Sequence, residues 1–561
     1  MKLTGAEIVF ECLKRENVDT VFGYPGGQVI PLYDALYNVK GIKHVLVRHE
    51  QGAAHAAEGY ARASGKVGVC IATSGPGATN LVTGIADAHM DSVPLVAITG
   101  QVTTGALGKD SFQEVDMKSI TFAITKHNYL VKDIKDLPRV FKEAFHLAST
   151  GRPGPVLIDI PADIQVAKTE FVYPHEAKIR GYKPTYNGHL AQIKKISKVI
   201  NGAKKPMIIA GGGVIISGGE KELLELAETL SIPVATTLMG LGAFPEDHPL
   251  SLGMIGMHGT AYANYAANET DLILALGTRF SNRATGAVKA FAPKADIIHI
   301  DIDPAEIGKN VQCLYPIVGD VKTVLQPLNQ LLEKKENPEW LSQIKKWKDD
   351  FPLTYEQSAE QIKPQYVIEE IMRLGKGEPI IVTDVGQHQM WSALFYRHSK
   401  ARHFISSGGL GTMGFGLPAA IGAQFGQPDK TVVLIAGDGG SQMNMQELMV
   451  AVENKLPIKI IILNNSYLGM VRQWQEIFYQ KHYSSVDMSA APDFVKLAEA
   501  YGAVGLRAEK PEEVTAVLEK ALAVKDGPVL IDFRIVKEEN VFPMIPGGGS
   551  VAQMIIGGAK K

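Results

Sequence analysis

The sequence predicts an α/β protein of three doubly wound parallel-sheet domains, and three observations carry that expectation. At 561 residues the chain is too long for one hydrophobic core, since cores stop growing at about 250–300 residues. Apolar runs alternate with helical periods from Val21 to Pro161, again from Pro206 and again from Pro379, the order expected of parallel strands joined by crossover helices. Several runs stop at glycine-rich turns, such as Gly211-Gly212-Gly213 and Gly437-Asp438-Gly439-Gly440, which gathers loops at the carboxyl edge where open parallel sheets hold ligands.

A hydrophobic share of 45% is that of an ordinary globular chain, and a net charge of -2 gives no nucleic-acid or anionic-membrane surface, leaving small molecules as partners. Cys12, Cys70 and Cys313 lack metal-ligand spacing, and Cys70 falls within an apolar run, so it reads as a reduced core thiol. Lys2, Glu7 and Glu11 interrupt any signal-peptide core, and no stretch reaches transmembrane length. A reducing, cytoplasmic compartment is expected.

In residues 1–170, a short strand ends in Tyr24-Pro25-Gly26-Gly27, and Pro31 suits the first turn of the next helix. Val45–Val47 form a strand running into His49-Glu50, and a small-residue helix spans Gly52–Ala63. Glu50 therefore stands at a helix start, where the dipole favours a carboxylate; alone, that is a structural role. Val67–Thr73 and Pro94–Thr99 are further buried strands, with Ser74-Gly75-Pro76-Gly77 a tight turn before a helix. Lys109–Glu114 is a polar loop whose lone aromatic, Phe112, beside Gln113, is ordinarily a packing anchor. Arg152 is ordinarily a surface charge, and Val156–Ile160 is the closing strand.

Residues 168–186 are charged, proline-containing and weakly periodic, which reads as a linker. A second domain, 189–345, begins near His189, and its strand Pro206–Ala210 ends in a glycine turn through which backbone meets phosphate. Thr236-Thr237-Leu238, Gly256-Met257-His258, Gly277-Thr278-Arg279 and the segment with Asp301 and Ile302 lie at or beside strand ends. There an acid can hold a ribose hydroxyl, and Arg279 and Arg283 can neutralise a diphosphate. Trp340 and Trp347, seven apart, read as one helix face.

The third domain, 365–540, starts with the strand Pro379–Thr383, followed by Val385-Gly386-Gln387-His388. Gly408–Gly414 is too glycine-rich for a helix and too apolar for an exposed loop, so it should approach something flat and apolar. Val432–Ala436 is a buried strand; from Ser441 a helix places Met445, Leu448, Met449 and Val452 on one face; Ile458–Leu463 is the next strand. A strand-helix-strand crossover is right-handed, so Asp438 and Asn465 end neighbouring parallel strands at one edge. Two such oxygens suit magnesium, whose remaining ligands a diphosphate can supply, with Gly437, Gly439 and Gly440 letting N–H groups approach. Met470 and Trp474, four apart, share a helix face. The glycines 547–549 read as a hinge for an apolar arm, 541–561.

Gly437-Asp438-Gly439 followed by Asn464-Asn465 is similar to the diphosphate motif of enzymes that use thiamine diphosphate, and Gly469–Trp474 resembles the large catalytic subunits of acetohydroxyacid (acetolactate) synthases, a likeness covering nearly the whole chain. The resemblance implies a pyrimidine-binding, a central FAD-binding and a diphosphate-binding domain. It implies thiamine diphosphate held by Pro25, Gly26, Val385, Gly386, Gln387, His388, Gly411, Met413, Gly437, Asp438, Gly439, Gly440, Asn465, Tyr467, Leu468 and Gly469. Magnesium falls to Asp438, Asn465 and Tyr467. FAD, in a non-redox role, falls to Arg152, Gly211, Gly212, Thr236, Leu238, Met257, His258, Gly277, Arg279, Arg283, Asp301, Ile302 and Asp320.

Glu50 matches the family's catalytic glutamate, which hydrogen-bonds N1' of the aminopyrimidine and promotes loss of the thiazolium C2 proton. Met413 matches the apolar residue that bends the cofactor, Phe112 and Gln113 border the substrate, and Met470 and Trp474 stand at the mouth, where the tryptophan favours 2-ketobutyrate. The implied reaction joins pyruvate, after loss of carbon dioxide, to pyruvate or 2-ketobutyrate, giving 2-acetolactate or 2-aceto-2-hydroxybutyrate, the first common step of branched-chain amino-acid biosynthesis. A homodimer or homotetramer is implied, with Glu50 of one subunit completing the site of another, together with a separate regulatory small subunit and an arm folding over the active site. Ala162, where many members carry lysine, and Ser281-Asn282, where two aspartates are usual, depart from the pattern. A pyruvate oxidase and a catabolic acetolactate synthase are the neighbouring alternatives, and a silent binding paralogue is the non-enzymatic one.

Overall fold

The computed structural model describes residues 2–557. The strands are β1 (Lys2–Thr4), β2 (Thr20–Gly23), β3 (Lys43–Leu46), β4 (Gly68–Ala72), β5 (Leu95–Gln101), β6 (His127–Leu130), β7 (Pro155–Pro161) and β8 (Lys168–Glu170). There follow β9 (Pro206–Ala210), β10 (Val234–Thr236), β11 (Ser251–Met254), β12 (Leu272–Leu276), β13 (Asp296–Asp301) and β14 (Tyr315–Val318). The last are β15 (Ile380–Thr383), β16 (Phe404–Ser406), β17 (Val432–Gly437), β18 (Lys459–Asn464), β19 (Val504–Ala508) and β20 (Val529–Arg534).

Three six-stranded parallel sheets result, ordered β3-β2-β4-β5-β7-β6, β11-β10-β9-β12-β13-β14 and β16-β15-β17-β18-β20-β19. Every residue of β4, β5, β9 and β12 is buried, because helices cover both faces of a parallel sheet and leave its strands no wet side. The three sheets place the glycine turns after β9, β12 and β17 at carboxyl edges, as the apolar-run pattern requires.

The first and third sheet domains join through the helices Glu50–Ser64 and Gly416–Gly426, which share one hydrophobic core. A Cβ on Gly59 would overlap the carbonyl oxygen of Ala419, and one on Gly422 would overlap that of Ala56. The small-residue composition of the first helix thus lets two backbones touch, and burial of alanine surface between them supplies the cohesion.

Three expectations are corrected. The segment 168–186 is not merely a linker: β8 pairs antiparallel with β1, Tyr173 donates to Glu16 Oε1 at 2.6 Å and Tyr182 to Thr150 O at 2.7 Å. The helix expected from Ser441 is broken into Asp438–Ser441, Met445–Glu447 and Leu448–Glu453, and it buries Asn444, Glu447, Leu448, Val450 and Ala451 but not Met445 or Met449. Asn444 causes the break by turning its amide to Gly414 O at 2.7 Å. The glycines 547–549 are not a free hinge: Gly549 O accepts from Ala287 N, and Met544 bridges Ile555, so the tail packs on the second domain. Residues 558–561 of the expected arm lie outside those described.

Candidate functional site

β17 and β18 run parallel with Gly437 opposite Leu463, so Asp438 and Asn465 leave the sheet side by side. Together with Val385, Gly386, Gln387, His388, Met413, Gly437, Gly439, Gly440, Tyr467, Leu468, Gly469 and Met470 they line one hollow. Burial pushes the Asp438 carboxyl up to about 7, against an amide contact from Asn465 that lowers it. Its Oδ2 is buried without a partner, as is His388 Nε2. Asn465 Oδ1 accepts from Tyr467 N at 3.0 Å, and Gln387 Oε1 accepts from Asn465 Nδ2 at 3.3 Å.

An orphaned carboxylate oxygen beside a neutral amide oxygen is a hard, incomplete donor set, which fits magnesium completed by phosphate oxygens. The glycines serve packing as well as approach. A Cβ on Gly439 would meet Leu468 Cδ2 at 2.6 Å, and one on Gly440 would overlap Asp384. Gly411 does not line the hollow; a Cβ there would lie 3.9 Å from Val385 Cγ1, an ordinary contact, but its φ of 74° favours glycine.

The loop that carries Met413 is held from behind by carboxylates that accept from its backbone amides. Asp91 accepts from Gly408 N (2.8 Å) and Gly409 N (2.7 Å), and Asp384 accepts from Gly414 N (3.0 Å) and Gly416 N (2.9 Å). Ser407 Oγ accepts from Gly411 N and Thr412 N and donates to Asp87 Oδ1 at 2.7 Å. Behind Asp87 lie His55, whose Nδ1 is 3.9 Å from Glu58 and 3.8 Å from Asp87, and Arg62, 3.4 Å from Glu58 and Asp91. Burial pushes the Glu58 and Asp87 carboxyls up to about 8 and drives the His55 imidazole down.

Glu50 is the first residue of its helix, capped by His49, whose ring accepts from Gln51 N. Its Oε2 accepts from Asn80 Nδ2 at 2.9 Å. The turn with Pro25 and Gly26 abuts the same region: a Cβ on Gly26 would lie 2.5 Å from Thr73 Cγ2. Neither Glu50 nor Gly26 lines the hollow of Asp438 within one chain. Gln113 packs on Gly75, and Phe112 is 85% exposed, so it anchors no packing within the chain.

The helix Gly469–Phe478 has two distinct faces. Inward, Gln473 is fully buried, accepting from Gln387 Nε2 at 2.8 Å and from Val541 N at 2.8 Å, while Arg472 donates to Asn540 Oδ1 and Glu476 Oε2. Outward, Met470, Val471 and Trp474 line an open apolar hollow with Gln475, Tyr479 and His482.

A second site, a cleft of about 510 Å³, lies among all three sheet domains, a volume in the range that holds nucleotide cofactors. Arg152, Gly212, Leu238, Met257, His258, Gly277, Arg279, Arg283, Asp301, Ile302 and Asp320 line it. Gly211 and Thr236 do not: a Cβ on Gly211 would overlap Gly277 O, so that glycine serves backbone packing between the turns after β9 and β12. Arg152 is already paired with Glu306 (2.7 Å) and Asp303 (3.2 Å), while Arg279 and Arg283 donate to Met90 O and Gly408 O. Burial raises Asp301 to about 6 and lowers His258 to about 4, and His258 Nδ1 has no partner. Paired arginines, a strand-end acid and an orphaned ring nitrogen fit a dinucleotide bearing diphosphate and ribose.

Asn80, Asp87, Asp91, Asp384, Glu447 and Gln473 were not among the expected site residues. Asp384 directly follows the end of β15 as Asp438 directly follows that of β17, so the same strand-end rule could have found it. Glu447 accepts from Arg48 N across 399 positions of sequence, a contact with no local signal. Among the described residues no helix is long and apolar enough to cross a membrane.

The chain matches the thiamine pyrophosphate enzyme family models in three places: the N-terminal TPP binding domain over residues 3–120, the central domain over 193–328 and the C-terminal TPP binding domain over 384–533. It is 50% identical to the acetolactate synthase large subunit IlvB1 of Mycobacterium tuberculosis, across 98% of this chain and 91% of that protein. It is 48% identical to the acetolactate synthase isozyme 3 large subunit of Escherichia coli, across 98% of each. A probable acetolactate synthase large subunit of Methanocaldococcus jannaschii is 50% identical across 99% of this chain and 95% of that protein. Identity of this order along the whole length, with three matched domains in order, means that the chain belongs to the acetolactate synthase large-subunit family of thiamine pyrophosphate enzymes.

Proposed function

We propose that this chain catalyses the decarboxylative condensation of two 2-keto acids, pyruvate with pyruvate or with 2-ketobutyrate, releasing carbon dioxide and 2-acetolactate or 2-aceto-2-hydroxybutyrate. The observation that carries this reading is the hollow in which the unpartnered Asp438 oxygen and Asn465 stand together beside Met413. Thiamine diphosphate, when bound, supplies the electron sink that lets a 2-keto acid lose carbon dioxide. Asp438, Asn465 and Tyr467 hold magnesium, and Val385 to His388 with Gly437 to Gly440 and Tyr467 to Gly469 surround the diphosphate. Glu50 holds a proton at its carboxyl oxygen for exchange with the aminopyrimidine.

Met470, Val471 and Trp474 present an apolar wall to the second keto acid, with Phe112 and Gln113 bordering it. That wall keeps water from the reacting carbon, which would otherwise be protonated to acetaldehyde. FAD occupies the cleft of Arg279 and Arg283 in a non-redox role. Because the hollow of Asp438 lacks Glu50 within one chain, a homodimer, or a homotetramer built from it, is the working unit, with Glu50 arriving from the second copy. The relatives' designation as large subunits supports a regulatory small subunit as a further partner, and a cytoplasmic setting suits both.

The test is incubation with pyruvate, thiamine diphosphate and magnesium, with and without FAD, followed by product identification. Acetolactate is the expected product. Acetyl phosphate with peroxide, or acetaldehyde alone, overturns the reading.

A further inference from the structure

We propose that Asn80 is the positioning residue for Glu50, an inference that rests on the reading of Glu50 as the proton-exchanging group. Asn80 Nδ2 donates to Glu50 Oε2 at 2.9 Å, and no other side chain among the described residues hydrogen-bonds that carboxyl. The second oxygen, Oε1, faces the bare Cα of Gly77, where a Cβ would lie 3.1 Å away. One carboxyl oxygen is therefore engaged and the other left open, the arrangement a group needs if it is to exchange a proton through a single oxygen.

The orientation of Asn80 is itself fixed. It ends the helical turn Pro76–Asn80, entered through Gly75 at φ 58°, a left-handed conformation that suits glycine. Thr73 Oγ1, just before that turn, accepts from Gln28 N at 3.1 Å, and the backbone of Gln113 packs against Gly75 so closely that a Cβ there would lie 2.8 Å from it. The segment 73–80 thus ties the Gly26 turn, the Glu50 carboxyl and the Phe112-Gln113 loop into one unit. An amide suits this position for a chemical reason. Its N–H₂ donates at every pH and cannot compete for the proton that Glu50 moves.

The test compares Asn80→Leu, Asn80→Asp and Glu50→Gln in the full chain reconstituted with thiamine diphosphate and magnesium. The readouts are deuterium exchange at cofactor C2 across pH, cofactor affinity by titration, and thermal unfolding. Asn80→Leu, matched in size but lacking the donor, should slow exchange by about 10–100-fold, the usual weight of a hydrogen bond to a charged group, with cofactor affinity within about threefold by the same reasoning, since the cradle is untouched. Asn80→Asp should exchange best at low pH, where its carboxyl is protonated and donates, and lose exchange as pH rises and it ionises beside Glu50. Wild-type exchange and pH profile in both Asn80 variants overturn the proposal. Should Asn80→Leu not fold, the pH profile of Asn80→Asp decides alone. Unchanged exchange in Glu50→Gln marks failure of the Glu50 reading instead.

Discussion

A Cβ on Gly422 would overlap the carbonyl oxygen of Ala56, so the helices of the first and third sheet domains meet backbone to backbone. Gly422→Ala should therefore destabilise the chain by about 1–3 kcal/mol, the usual cost of overpacking, and lower the urea midpoint. An equal midpoint would show that the crossing can relax.

Glu50 does not line the hollow that holds Asp438 in its own chain, and a mixing experiment tests whether it reaches the hollow of a second copy. Glu50→Gln and Asp438→Asn should each be nearly inactive alone. Refolded together in equal amounts, they should recover about a quarter of wild-type activity, because half the dimers are mixed and one site in each is intact. Mixtures as inactive as their parents would place both residues in one site per chain.

Chelation should separate the two cofactors. Removing divalent ions, or changing Asp438 to Asn, should weaken thiamine diphosphate binding by at least about tenfold, since one carboxylate ligand and its charge are lost. Flavin fluorescence quenching should be unaffected, because the 510 Å³ cleft shares no residue with the Asp438 hollow. Loss of both together would contradict the division.

The buried Glu58 and Asp87 carboxyls are raised from 4.5 and 3.8 to about 8. A raised folded value means that the folded state holds protons the unfolded chain has released, so this contribution to stability is complete below pH 4 and is lost as pH rises through 8. Asp91 adds repulsion and Arg62 opposes it, while His55, driven down by burial, acts only below its ordinary value. Thermal unfolding temperature should fall from pH 6 to 9, and Glu58→Gln should flatten that slope. A parallel slope in the variant would remove Glu58 from the account.

Local chemistry was legible in the sequence, and contacts across the chain were not. Asp438 and Asn465 could be paired because a strand-helix-strand unit brings its two ends together without help from elsewhere. The same unit misled over its helix, since the break comes from Asn444 reaching Gly414, thirty residues away. Trp474 stood out by composition, whereas Gln473 beside it, which pins the helix to Val541, did not. Gly211 packs closely on Gly277, an approach that leaves the same mark in sequence as one to a ligand. The clamp of Asp87, Asp91 and Asp384 on the glycine loop was invisible for a similar reason. Each is an ordinary acid until folding brings distant amides to it.

The helix Gly469–Phe478 divides its labour by side: Arg472 and Gln473 keep it in place while Met470, Val471 and Trp474 look outward. Changes that resize the outward wall leave its anchors alone. On the proposed reading of that wall, descendants of this sequence can explore new acceptors in small steps, with appetite and architecture inherited as separate traits.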